Sequence, residues 1–485
     1  MRSSRLCIPL AVWAMLAAST PIAAQIGELD PDFAGDGRAT WAPIGDFSDA
    51  FAARGDGLGR VVVAGNSREG TGNDTNTDYL VARFLANGER DLSFGDAGRQ
   101  RVGFDLEGGG HDYADAVWLR PDGRILVHGL AQNDPFDGVR RTPALVQLTA
   151  EGDLDPTFSG DGKLVLLFPD QGFTAGSSTT ALLPAANGAV WVTNLCYECT
   201  ADGRRRLALA RVLANGTHDL AFGTNGWLLV EPPAAIAGID WYFADWARTA
   251  DGKIWAAVGN SQGVAGLLRL TAQGAPDTGW GPGGWVVIDH GNQGSPAIDD
   301  TVRAFAVDGR GRPLTAWAID GYTGAAARIY RWTTAGALDP SFGTAGAVTF
   351  DLGGEVGVNG LVPQGRELLL VGSAETDLQN GAYGFFAARY QNNGQLDPAF
   401  GGNGVTFVEF DVPGVPTHDF AMDLALVSGR PVLVGTAWER ALDLGVEQLG
   451  DTNGTRWAVA RLENDWIFAD GFDQGGTAHW SLAVP

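Results

Sequence analysis

The sequence predicts an all-β fold: a seven-bladed β-propeller of four-stranded blades, with the ring closed by an N-terminal strand that joins the C-terminal blade. Three observations predict it. A turn of the form Asp, two residues, aromatic, then glycine four residues after the aromatic occurs seven times, at Asp30/Phe33/Gly37, Asp91/Phe94/Gly98, Asp155/Phe158/Gly162, Asp219/Phe222/Gly226, Asp277/Trp280/Gly284, Asp339/Phe342/Gly346 and Asp397/Phe400/Gly404. Successive aspartates stand 61, 64, 64, 58, 62 and 58 residues apart, too long for a solenoid unit and suited to a propeller blade. The chain ends hold complementary fragments of one unit. The first turn, GELDPDF, lacks a preceding Ala-Arg-Leu strand, and the last such strand, Ala460 to Leu462, lacks a following turn. A strand near Arg38 to Trp41 is therefore expected to be the outermost strand of a blade whose other three strands come from about residues 419 to 463, which removes exposed sheet edges.

In chain order, residues 1–24 hold two arginines, an apolar run from Leu6 to Ala18 and small residues ending at Ala23 and Ala24, the pattern of a cleaved export signal. Residues 25–463 form the propeller. In the clearest period, alternation and turn chemistry give strands at 112–119, 124–130, 143–148 and 163–168, with a tight turn from Pro121 to Gly123 joining the first two. Residues 464–485 form a tail outside the repeat. No stretch after the signal approaches the roughly 20 apolar residues of a spanning helix.

Seventy glycines and 19% charged residues suit short strands joined by turns, and 45% hydrophobic residues argue against disorder. The net charge of −24 disfavours nucleic acid and anionic membrane surfaces as partners. Cys7 leaves with the signal; Cys196 and Cys199 then remain as a CYEC pair, expected to close a local disulfide in an oxidising compartment.

Units such as ANGERDLSFGDAGRQ and HDYADAVWLRPDGRILVHG resemble the delta-60 repeat of large exported bacterial proteins, over about residues 26 to 463. The resemblance implies a β-propeller and carries no catalytic residues or substrate. The tail resembles a short C-terminal segment seen on exported proteins of some Gram-negative bacteria, so the expected location is secreted, periplasmic or cell-surface.

Blade loops alternate between two faces. The Pro-Asp-Gly and aspartate turns share the first, which is uniform. Loops entering the first strand and leaving the second share the other, which varies and is the expected recognition surface. The repeated turn residues Asp91, Phe94, Asp155, Phe158, Asp219, Phe222, Asp339, Phe342, Asp397 and Phe400 are structural by their regularity: an Asx-type turn with an aromatic between blades. The second face carries Asp46, Asp49, Asp112, Asp115, Asp245, Asp300 and Asp419, hard oxygen ligands suited to Ca²⁺ or to a basic partner, and His111 and His418, each preceding an aspartate in equivalent places. No nucleophile motif accompanies them. The expected function is non-enzymatic: an exported binding or scaffold propeller contacting a protein or carbohydrate through second-face loops. The alternative is an extracellular hydrolase or lyase acting on polymer at the channel mouth.

Overall fold

The structure is a computed structural model. It describes residues 26–43, 47–69, 76–106, 110–133, 140–169, 172–173, 181–236, 241–260, 264–289, 301–319, 326–377, 381–410, 418–438 and 455–464. The proposed signal (1–24) and nearly all of the tail, from residue 465 on, lie outside these residues.

Seven four-stranded antiparallel sheets form the blades. The first strands of blades 1 to 7 are Phe47–Gly55, Asp112–Leu119, Ala181–Pro184, Trp241–Arg248, Thr301–Val307, Val356–Gln364 and Asp419–Val427. Each pairs with a second strand: Val61–Glu69, Ile125–Gln132, Val190–Cys196, Ile254–Asn260, Pro313–Ile319, Glu367–Asp377 and Arg430–Trp438. Third strands are Asn76–Phe84, Arg141–Leu148, Arg206–Val212, Val264–Leu270, Ala326–Arg331, Ala382–Tyr390 and Thr455–Arg461. The fourth are Arg99–Val102, Lys163–Val165, Trp227–Val230, Trp285–Asp289, Ala347–Phe350 and Val405–Val408 for blades 1 to 6, and Arg38–Trp41 for blade 7. Each first strand touches the first strand of the next blade in an unbroken cycle through all seven, so the first strands line the central channel.

Two local features differ from simple alternation. The fourth strand of blade 2 ends at Val165 rather than running to Phe168. Pro143, opposite its continuation, has no N–H to donate, and the Thr142 hydroxyl fills the gap with a 2.6 Å bond to the Leu166 carbonyl. First strands of six blades carry a register shift, as between Ala114 and Ala116 in blade 2 and Ala421 and Asp423 in blade 7. In blades 1, 2, 6 and 7 the second strand has a glycine opposite this bulge, required by close approach: a Cβ on Gly129 would fall on the Tyr113 carbonyl oxygen, and one on Gly435 on that of Phe420.

The repeated turn is the seam between blades. Asp91 Oδ1 accepts the Ser93 N–H at 3.1 Å, while Oδ2 accepts Arg83 Nε at 2.7 Å. The same arginine lies 4.7 Å from the centre of the Phe94 ring and donates to the Ala150 carbonyl of the next blade. Phe94 is fully buried among residues of blades 1 and 2. Equivalent pairs are Arg211–Asp219, Arg269–Asp277, Arg331–Asp339 and Arg389–Asp397, each eight residues apart, with Gln147–Asp155 in blade 2. At the closure Arg461 takes Asp30 across 431 residues at 2.5 Å, and Arg38 to Trp41 pair in register with Ala460 to Trp457. One end of the chain thus completes the other's repeat.

Candidate functional site

The second face is built from first-strand starts, second-strand ends and third-strand starts. Asp112 and Asp419 open the first strands of blades 2 and 7, and both are wholly buried. Asp112 Oδ2 accepts the Phe104 N–H at 2.6 Å and Asp419 Oδ2 the Phe410 N–H at 2.8 Å, so each clamps the segment arriving from the preceding blade. Burial pushes the Asp112 carboxyl up to about 7 against the pull of the Phe104 N–H, with the Asp78 and Asp105 carboxylates adding to the rise.

The pH consequence has a definite sign. Between the ordinary aspartate value near 4 and about 7, the folded chain holds a proton on Asp112 that the unfolded chain has released. Stability therefore falls as pH rises through that window, by up to about 1.4 kcal/mol per pH unit for this group. Asp112→Asn keeps the acceptor for Phe104 and removes the titration. It is expected to match the wild type near pH 4 and to exceed it at pH 8 by up to about 4 kcal/mol in urea unfolding. The turn aspartates act oppositely at acid pH: against the cost of burial, Ser93 and Arg83 hold Asp91 below the usual carboxylate range.

The other acidic candidates do not converge with these. Asp49 accepts from the Thr436 hydroxyl of blade 7 at 3.1 Å, and burial raises its pKa. Asp115 is the bulged residue of its first strand. Asp245, half-buried in the first strand of blade 4, is pushed up to about 7 by burial and by the Asp423 carboxylate, opposed by the Trp246 N–H and by Arg54. Asp423 itself is ion-paired with Arg54 at 3.0 Å across the blade 7 to blade 1 seam. Asp46 and Asp300 lie outside the described residues. Among the described residues no group of three or more His, Cys, Asp or Glu side chains could hold a metal ion.

His111 and His418 occupy equivalent places. Each bridges the third strand of the preceding blade, at Thr77 and Tyr383 respectively, but blades 7 and 1 stand between the two seams. His111 Nδ1 lies 3.2 Å from the Thr77 hydroxyl; burial, Arg68 and Arg141 all lower its pKa, so the imidazole is neutral at neutral pH. Cys196 and Cys199 form a disulfide at the second-face end of blade 3, with Cα atoms 6.0 Å apart.

The seam of blades 6 and 7 holds a cluster that the repeat pattern does not encode. Tyr383 stacks on Phe420 at 5.7 Å and 29°, and meets His418 at 5.5 Å. His418 and Phe420 are near parallel, 13° apart in angle, and Phe420 meets Trp438 edge-on at 6.4 Å. Trp438 is 37% exposed. The Tyr383 hydroxyl donates to Glu355 Oε2, and Glu375 stands beside it. Burial and these carboxylates push the tyrosine pKa up, so it remains a phenol. The four rings come from three segments of the sequence, around Tyr383, His418 to Phe420 and Trp438.

Three segments, 59–94, 120–158 and 367–400, match the family described as domain of unknown function (DUF5122) beta-propeller. Each runs from the second strand, or the turn before it, to the turn aromatic, in blades 1, 2 and 6. These matches support a β-propeller family of unknown function. No curated protein sequence matches the chain. Similar solved structures include a catalytically inactive virginiamycin B lyase from Staphylococcus aureus with quinupristin, at 11% identity over 87% of this chain and 98% of that one, TM-score 0.41. A protein of unknown function from Dyadobacter fermentans gives 12%, 88%, 98% and 0.39, and a calcium-binding regucalcin from Agrobacterium tumefaciens 14%, 74%, 92% and 0.33. Likeness at this level concerns the fold and carries nothing about ligand or activity.

Proposed function

We propose that the protein is an exported, non-enzymatic binding propeller of delta-60-type repeats that holds a carbohydrate on its second face. The observation that carries this is the ring cluster Tyr383, His418, Phe420 and Trp438, ending on an exposed tryptophan and flanked by Glu355. A pyranose presents an apolar C–H face, which suits an aromatic surface, and a rim of hydroxyl donors, which suits carboxylate acceptors. Export is supported by the N-terminal pattern of residues 1–24 and by the paired cysteines.

The test is affinity electrophoresis and calorimetry of the purified protein against a panel of neutral polysaccharides. Trp438→Ala is expected to weaken binding about tenfold, equivalent to about 1.4 kcal/mol, with an unchanged melting temperature. Absence of binding across the panel, or equal binding by the variant, contradicts the proposal. Release of shorter saccharides from the bound polymer would instead move the assignment to a hydrolase or lyase at the channel.

A further inference from the structure

We propose that the cleft between blades 4 and 5 on the first face binds an oxyanion ester group, phosphate or sulfate. The basis is a departure from the repeat. In blades 1, 2, 5 and 7 an arginine stands at the start of the second strand or immediately before it, and its guanidinium reaches the turn aspartate already held by the third strand. Arg60 lies 3.9 Å from Asp91, Arg124 3.5 Å from Asp155, Arg312 3.1 Å from Asp339 and Arg430 2.8 Å from Asp30. In blade 5, where Arg331 also donates to the Asn392 carbonyl of blade 6 at 2.6 Å, the seam holds a void of about 20 Å³.

Blade 4 has Lys253 instead, which pairs with Asp251 of its own turn at 3.1 Å and leaves Asp277 to Arg269. Arg269 lies over the Trp255 and Trp280 rings, 5.3 and 4.7 Å from their centres. The seam there holds a cleft of about 380 Å³, lined by Arg248, Thr249, Lys253, Arg269, Arg310 and Thr334 among others. Its charges do not cancel. Lys253 is neutralised by Asp251, Arg269 by Asp277, and Asp308 by Arg312 at 2.7 Å. Arg248 and Arg310 are exposed and, among the described residues, have no carboxylate partner.

Two uncompensated guanidinium groups therefore face one polar cleft in a chain of net charge −24. A guanidinium presents a planar fork of donors that matches an oxyanion, and the Thr249 and Thr334 hydroxyls supply further donors. The larger cleft at the blade 7 to blade 1 seam, about 620 Å³, lacks this surplus: Arg461 and Arg430 both hold Asp30, and Arg430 also stands 3.5 Å from Glu463.

The test is thermal melting of the purified protein at physiological ionic strength with inorganic pyrophosphate and, separately, inorganic sulfate, both at millimolar range. A saturable rise in melting temperature with either is expected; which of the two acts tells phosphate from sulfate chemistry. The double variant Arg248→Ala/Arg310→Ala should lose the rise while keeping the ligand-free melting temperature, and Arg310→Gln alone should weaken it about tenfold if the double variant does not fold. No saturable rise with either probe, or the same rise in the variants, overturns the proposal. Because the cleft lies on the face opposite the aromatic cluster, its failure leaves the carbohydrate site untouched.

Discussion

Phe94→Ala is expected to lower the unfolding free energy by about 3–5 kcal/mol. The ring is wholly buried and is enclosed from three sides. Arg83 covers one face at 4.7 Å, the first two blades pack around it, and the φ +100° of Gly152 in the next blade brings that backbone against the ring edge. Alanine would leave a cavity bounded by a guanidinium already fixed to Asp91 and to the Ala150 carbonyl, so the seam cannot collapse to fill it. Leu92, in the same turn but 62% exposed, supplies the control, and Leu92→Ala should change stability by no more than about 0.5 kcal/mol. Urea unfolding of both variants checks this; equal midpoints would mean that the turn aromatics do not hold the blades together.

The fold was legible because its determinants repeat. The aspartate turn, the Ala-Arg-Leu strand and the mismatch between the two chain ends together place Arg38–Trp41 beside Thr455–Arg461. The Arg83–Asp91 type of ion pair was also present in the sequence, as a basic residue eight positions before most of the turn aspartates, but strand alternation alone gives it no reason to be singled out. Strand ends depended on one missing donor, that of Pro143, which a pattern of apolar residues does not register.

The second face was legible only as a location. Its aspartates look alike in sequence, yet the fold gives Asp112 and Asp419 to backbone donors, Asp49 to a hydroxyl, and Asp245 to the N–H of the residue after it. The rings of Tyr383, His418, Phe420 and Trp438 meet only because blades 6 and 7 adjoin. Contacts between non-equivalent positions of two repeats leave no periodic trace.

Joining the ends carries the second large effect. Removal of Arg461 would leave Asp30, wholly buried, with only the peripheral Arg430, and breaking such a buried pair costs about 3–5 kcal/mol. The closing strand also packs Trp41 edge-on against Trp457 at 5.4 Å and sends Arg38 to the Glu409 carbonyl of blade 6 at 2.8 Å. Blade 7 supplies three of the four rings of the proposed carbohydrate site, so the second face depends on this joint. Arg461→Ala is therefore expected to destabilise the whole ring, and to do so more than Arg38→Ala, whose side chain is exposed.

Thr40 and Ala458 face each other across the closing ladder. The most direct measurement is oxidation of a Thr40→Cys/Ala458→Cys variant, followed by non-reducing electrophoresis and thermal melting. The closed ring predicts rapid formation of an intramolecular crosslink and a gain of about 2–4 kcal/mol over the reduced form. Two thiols that remain free to a maleimide under the same oxidation would show that the N-terminal strand does not complete blade 7.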